Sequence, residues 1–422
     1  MALVLDPPDN FRHHNPPVCA HGPTLLFFDK SSSYYYYACS ASRDHRFCSF
    51  KLSAQKWKRL ASSKNLIKNP ETMKPDHQYL LNHPSTCGYC LDCCRVLIAD
   101  DDPKVLAKHY ASQHGHCKNR IDDNEFNELI ERPCLNLLTP QTGNENLAQY
   151  FFSKQTLDFI RHHLVQPFNF DRILCIGCPT VHEELLIGNA NQNSFLLDLD
   201  ARYHQFYKAD RFARFNMFNG HFFVDSDSDD SDGRKSFEKF VQQSTNTNSS
   251  NSILILIDPP FGGLIECLAR TVHKLCNKWM TAKSEISVSM ALFFPYFNEH
   301  WIRKAFESDN VRITDFIVTY DNHGKFGRRA TKTFPTSPVR VFTNLDLADF
   351  TAIDPDQYRW CVQCGRTIFR NNHHCDQCGE CPARDSTKPI RHCAQCGRCV
   401  KITSSHCDRC NSCHLPNKHQ SI

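Results

Sequence analysis

Between Cys361 and Cys413 the chain runs through Cys361-x2-Cys364 and then three copies of His-Cys-x2-Cys-x2-Cys, opening at His374, His392 and His406. A stretch this short and this poor in aliphatic residues cannot bury a core of its own. It must fold around ions, and thiolate plus imidazole ligands at such spacing select tetrahedral zinc. An interleaved scheme uses the ligands in fours: Cys361, Cys364, His374 and Cys381; then Cys375, Cys378, His392 and Cys399; then Cys393, Cys396, His406 and Cys413. Cys407 and Cys410 remain, with His414 or His419 as partners for an incomplete fourth set. From Asp356 to Ile422 there are ten Lys and Arg against five Asp and Glu, an excess of five. Three Cys3His centres remove about three of those charges, which leaves a mildly basic surface suited to RNA. A purely structural zinc scaffold over 356–420 is the alternative.

The 422 residues carry 24 cysteines and a formal net charge of only +4. Met1 to Pro8 lacks a charged segment followed by an apolar core, and no later run approaches a membrane span, so a soluble, non-secreted chain without membrane contact is expected. In a reducing compartment, closely repeated cysteines signal metal rather than disulfides. The small net charge rules out a global basic field; any nucleic-acid surface must be local.

Two further metal sets lie toward the amino end. Cys19-x-His21-Gly22, the aromatic run Tyr34 to Tyr37, Cys39 and Cys48 fall within residues 15–55. This pattern resembles the GRF-type zinc finger, which implies one zinc on Cys19, His21, Cys39 and Cys48 and aromatic strands facing single-stranded nucleic acid. The segment after Cys48, Ser49-Phe50-Lys51, lacks the aromatic pair of that family, so metal binding carries over better than stacking. Within residues 86–118, Cys90, Cys93, His109 and His114 have C2H2-like spacing, with Cys87, Cys94 and His116 as competing ligands.

From 146 to 350 the pattern changes to strands alternating with helical stretches, as in a doubly wound α/β sheet. Leu147 to Leu164 reads as an introductory helix, and Ile313 to Tyr320 with Val339 to Thr343 as a final strand pair. The run Ile253 to Ile257 is short, apolar and β-branched, and Asp258-Pro259-Pro260-Phe261 stops it at once because two prolines continue neither strand nor helix. An acid is thus fixed at a strand's carboxyl end, where open α/β sheets bind ligands. Arg172 to Ile176 reads as the first strand. Its end, Cys175-Ile176-Gly177 with Pro179 opening a helix, is the expected approach to a cofactor. About twenty residues on, Asp198 and Asp200 end a second strand, where such folds hold ribose hydroxyls, and either acid suits. Asn216, near the third strand, is the candidate for an adenine ring.

The Asp-Pro-Pro-Phe loop resembles the catalytic loop of S-adenosylmethionine-dependent methyltransferases that act on amino groups conjugated to a ring. An exocyclic adenine amine is a poor nucleophile because its lone pair is delocalised. Asp258 and the Pro259 carbonyl would each accept one N–H and turn that lone pair outward, Pro260 would rigidify the loop, and Phe261 would stack on the base. The order of GRF-type finger, C2H2-type finger, methyltransferase and CCHC-type array resembles the zinc-finger CCHC-domain ribosomal RNA N6-adenine methyltransferase family over nearly the whole chain. The resemblance implies a Rossmann-like class I methyltransferase sheet flanked by small zinc-binding domains. It also implies methyl transfer from S-adenosylmethionine to one adenosine of large-subunit ribosomal RNA, and residence in the nucleus and nucleolus with the cytoplasm as an alternative. A zinc-dependent RNA-binding scaffold with an inactive methyltransferase domain stays open, because the usual glycine-rich loop is reduced to Gly177 alone. A palmitoyltransferase would need membrane spans, and a ubiquitin ligase the RING ligand order; the chain shows neither.

Overall fold

A strand of six buried residues has to be covered on both faces, and Ser252–Ile257 is such a strand. The computed structural model describes residues 2–8, 11, 15–41, 48–60, 88–90, 92, 94–97, 104, 117–118, 129–141, 149–187, 193–223, 233–242, 251–282, 286–323, 337–347 and 349–415. These form two compact units, Met1–Phe152 with Phe170–Met290, and Ser153–Asn169 with Ala291–Ile422. No helix among the described residues is long and apolar enough to cross a membrane.

The first unit holds β1 (Arg172–Ile176), β2 (Ser194–Asp198), β3 (Phe212–Asn216), β4 (His221–Phe222) and β5 (Ser252–Ile257), hydrogen-bonded in the order β4-β3-β2-β1-β5. All these pairs are parallel except β3–β4. The helices Pro179–Ile187, Gly233–Gln242 and Ile265–Ala282 fall between or after the strands, the alternation expected of a doubly wound α/β unit. Proline begins the first of them because that position needs no N–H partner. Ile176 lies opposite both Leu197 and Ile257, so Gly177, Asp198 and Asp258 emerge at one sheet edge.

Ahead of these strands, Ala2–Leu3, Leu25–Asp29, Tyr34–Ala38 and Lys51–Ser53 make a separate antiparallel sheet. Of the tyrosine run expected to face nucleic acid, Tyr34 and Tyr35 are half-buried and the other two pack into this sheet. Tyr36 and Tyr37 are buried; Tyr37 joins Phe11, Leu26 and Ala54, and Tyr36 stacks on Phe27 at 5.7 Å with Lys51 over its ring.

Strand β6 (Ser287–Pro295) starts in the first unit and ends in the second, where it pairs antiparallel with β8 (Val339–Thr343), which in turn pairs with β7 (Arg312–Ile313). The strand expected to run to Tyr320 keeps its regular pairing only to Ile313; beyond it Thr314 and Val318 still donate to the Val341 and Val339 carbonyls at 2.8 and 3.2 Å, while the alternate amides turn to other partners. Ile317 N–H donates to the Tyr358 hydroxyl at 3.1 Å and Thr319 N–H to Thr156 Oγ1 at 2.9 Å. The introductory helix also starts later than expected, as Lys154–Phe159 capped by Ser153, and continues as a π turn over Ile160–Val165.

The carboxyl-terminal segment is a chain of hairpins: Tyr358–Cys361 with Arg366–Phe369, Ile390–Cys393 with Arg398–Lys401, and Ser405–Cys407 with Ser412–His414. Buried Asp315 anchors it. That carboxylate accepts from the Phe369 N–H and the Asn372 amide, each at 3.1 Å, and pairs with Arg366 at 3.0 Å. Arg384, also buried, pairs with Glu299 at 3.0 Å. Two of the ten basic residues are therefore spent on seating the array.

Candidate cofactor pocket and metal centres

Four sets of ligands converge: Cys19, His21, Cys39 and Cys48; Cys361, Cys364, His374 and Cys381; Cys375, Cys378, His392 and Cys399; and Cys393, Cys396, His406 and Cys413. Within each, all ligand atoms lie within 4.8 Å of one another. Cys364 and Cys381 are 3.6 Å apart, and Cys39 Sγ is 3.3 Å from His21 Nδ1. A tetrahedron with metal–sulfur bonds of ~2.3 Å has edges of roughly 3.7 Å, so the donor sets fit zinc in both element and size. The array uses the interleaved pairing because each hairpin turn brings a Cys-x2-Cys pair to one point. Gly365, Gly379 and Gly397 follow these pairs at φ between 59° and 67°. Cys407 and Cys410 occupy the same turn with Asn411 at φ 48°, and Cys410 Sγ lies 2.7 Å from His414 Nε2; within the array no fourth four-ligand set forms among the described residues. Of the C2H2-like set, Cys90 is buried in the strand Gly88–Cys90, whereas Cys93, His109 and His114 lie outside the described residues, as does His419.

The strand edge carrying Gly177, Asp198 and Asp258 opens into a cavity of about 440 Å³, in the ordinary range for a cofactor site. Gly177 has φ +69°, and a Cβ there would stand 2.8 Å from the Asp258 carbonyl oxygen and from Met217 Cε. A single glycine therefore lets the β1 turn and the Asp-Pro-Pro-Phe loop touch. The Asp258 N–H donates to the Ile176 carbonyl at 3.0 Å, which ties the loop to the turn. Pro179, Pro259, Pro260 and Phe261 line the same cavity, and the Phe261 ring stacks on Tyr150 with centroids 5.8 Å apart. Cys175 and Ile176, expected at the cofactor, do not line it: as interior residues of a central strand both are fully buried, and they act by delivering Gly177.

The two acids at and just past the end of β2 differ in their partners. Asp200 pairs with Arg202 at 2.6 Å, accepts from the Gln149 amide at 2.7 Å and caps the following turn through the Arg202 N–H. Asp198 accepts from the Asp200 N–H at 2.9 Å, and no side chain among the described residues hydrogen-bonds it. Burial raises its pKa to about 7. Asn216 lines the cavity, but its amide is committed. Nδ2 donates to the His21 carbonyl at 2.7 Å and to Ser40 Oγ at 2.9 Å, and Oδ1 accepts from the Phe218 N–H. The group expected to read an adenine ring instead grips the first zinc centre.

Tyr150, Gln149 and Arg202 escaped the sequence reading. None stands in a spacing pattern, and only their convergence on Phe261 and Asp200 marks them.

A family model described as probable N6-adenine methyltransferase matches residues 143–337. The chain is 33% identical over 406 residues, 88% of its length and 72% of the relative's, to the Homo sapiens protein called rRNA N(6)-adenosine-methyltransferase ZCCHC4. It is 33% identical over 394 residues to the Mus musculus protein of that name, covering 85% of this chain and 70% of the relative. For the Bos taurus protein the figures are 34% over 397 residues, with 85% and 70% covered.

Proposed function

The chain belongs to the rRNA N(6)-adenosine-methyltransferase family, and from that premise we propose that Asp258 and the Pro259 carbonyl hold the amine of one large-subunit ribosomal RNA adenosine for methylation. The reaction is S-adenosylmethionine-dependent methylation of adenosine N6 in ribosomal RNA. The bound cofactor supplies an electrophilic methyl group on a sulfonium centre. Everything else is placement.

One observation supports the reading: a Cβ at Gly177 would stand 2.8 Å from the Asp258 carbonyl oxygen, so only glycine lets the cofactor turn and the Asp258 loop lie side by side and donor and acceptor share a wall. Asp198 is the acid left to hold the ribose, since Asp200 is consumed by Arg202 and Gln149. Asp258 accepts one N–H and the Pro259 carbonyl the other, which directs the nitrogen lone pair toward the methyl group. Phe261, braced by Tyr150, offers a flat face to a base taken out of its stack. We place the reaction in the nucleolus, where large-subunit RNA is made; imaging of the tagged chain tests this.

Asp258→Ala should cut methylation of large-subunit RNA by about 100- to 1000-fold, the scale for losing a positioned polar group, while calorimetric affinity for S-adenosylmethionine stays within about threefold. Asp258→Asn keeps one acceptor oxygen and should retain partial activity. Near-normal turnover by the alanine variant would remove Asp258 from the reaction. Methylation confined to small-subunit RNA would overturn the substrate assignment.

A further inference from the structure

The first zinc centre is bound to the cofactor pocket more closely than a recognition finger needs to be. Ala20, His21 and Ala41, all within its ligand frame, line the cavity beside Gly177 and Asp198. Behind that wall, two asparagines of the α/β unit reach into the finger. Asn216 Nδ2 donates to the His21 carbonyl and to Ser40 Oγ. Asn219 Nδ2 donates to the Pro23 carbonyl at 2.8 Å and to Ser40 Oγ at 3.0 Å, and lies 3.3 Å from the His21 carbonyl. Two adjacent amides thus converge on the backbone of one zinc ligand and the hydroxyl next to another, Cys39.

Packing closes the same seam. Gly22 has φ +86°, and a Cβ there would lie 2.8 Å from His221 Cδ2 and 3.3 Å from Asn219 Nδ2. The glycine of the Cys-x-His-Gly turn is needed for its left-handed backbone and also for this close approach. Leu199, just past β2 between Asp198 and Asp200, packs against the cluster of Cys19, Cys39 and Ala41. The zinc frame therefore abuts the residues that flank the ribose acid on one side and the residues after β3 on the other.

We propose that Asn219 and Ser40 are positioning residues for S-adenosylmethionine: they fix the zinc-bound finger as a wall of the pocket, so occupancy of the first zinc centre sets cofactor affinity. The proposal rests on the methyltransferase reading above, but its test measures cofactor binding rather than methylation. Asn219 does not line the cavity; outside the seam its Oδ1 accepts from the His221 N–H at 3.0 Å, a bond that Ser40→Ala leaves intact.

Calorimetry with S-adenosylmethionine on the full chain, alongside zinc content by elemental analysis, provides the test. Asn219→Ala removes donors to three acceptors and should raise the dissociation constant about tenfold, with zinc content, kcat at saturating cofactor and KM for RNA unchanged within about twofold. Cys48→Ser should lose one zinc and weaken binding similarly, whereas Cys396→Ser should lose one zinc and leave cofactor affinity intact. Should Asn219→Ala fail to fold, Ser40→Ala, which deletes one shared hydroxyl, should still raise the constant about threefold. Unchanged affinity in a folded Asn219→Ala or Ser40→Ala, or equal losses in Cys48→Ser and Cys396→Ser, overturns the proposal. A wild-type chain that binds no cofactor at all would instead sink the methyltransferase reading.

Discussion

The first zinc finger and the carboxyl-terminal array are both hairpins organised by cysteine and histidine, yet each is joined to its own unit by different chemistry. The finger is held by neutral amides, Asn216 and Asn219, on backbone carbonyls and one hydroxyl. The array is held by ion pairs with one buried member each, Asp315 with half-buried Arg366 and Arg384 with half-buried Glu299. A neutral seam is insensitive to salt and cheap to adjust. A buried ionic seam is costly to break from one side, because the surviving charge stays desolvated. The contrast suits one zinc centre that shapes a small-molecule pocket and a row of centres that must be seated firmly while leaving their far end exposed.

The largest effect should come from the ionic seam. Asp315→Ala leaves Arg366 without its carboxylate and the Phe369 N–H and Asn372 amide without an acceptor, and should cost about 3–5 kcal/mol in the stability of the second unit. Thermal unfolding should show that loss while S-adenosylmethionine affinity hardly moves, since the residues lining the pocket all belong to the first unit. Comparable loss of both would dissolve the distinction between the two seams.

A medium effect belongs to the pocket. The pKa of Asp198 is raised by burial to about 7 in the folded chain, whereas an unfolded aspartate ionises near ~4. The native state then holds a proton that the unfolded chain has released, so this group's contribution to stability is full below about pH 4 and is lost as pH rises through about 7. Asp198→Asn should make the cofactor-free protein more stable than wild type at pH 8, with the gap closing toward pH 4. It should also weaken S-adenosylmethionine binding by about tenfold or more at pH 8, and remove the fall in wild-type affinity below pH 7. If calorimetry gives the variant wild-type affinity at pH 8, the ribose is held elsewhere.

The smallest effect tests the exposed end of the array. Arg398 and Lys401 lie on the second hairpin, exposed and outside the ionic seam. Replacing both with alanine should weaken RNA binding a few-fold and lower the salt dependence by about one to two counterions, with zinc content unchanged. An unaltered salt slope would make the whole array a scaffold, ending its functional difference from the finger.

Metal pairing was legible from spacing because each zinc centre is nearly local. Cys361, Cys364, His374 and Cys381 span few residues, and tetrahedral geometry leaves little freedom in joining them. The parallel strand before Asp258 was legible for a similar reason: five apolar residues stopped by two prolines have one place in an α/β sheet. The tyrosine run shows the limit, since aromatic residues on a strand pack inward or stack outward according to what lies across from them, and Phe27 and Leu26 decided it. The sequence alone determined the chemistry available: five soft-ligand sets, of which four converge among the described residues, and an acid fixed at a strand end by two prolines. Only the tertiary structure decided which of Asp198 and Asp200 is tied to other side chains and what Asn216 bonds, because Gln149 meets Asp200 and His21 meets Asn216 across 51 and 195 residues of chain. A hydrogen bond is chosen by whichever partner folding brings within 3 Å, and separation along the chain carries no record of that choice.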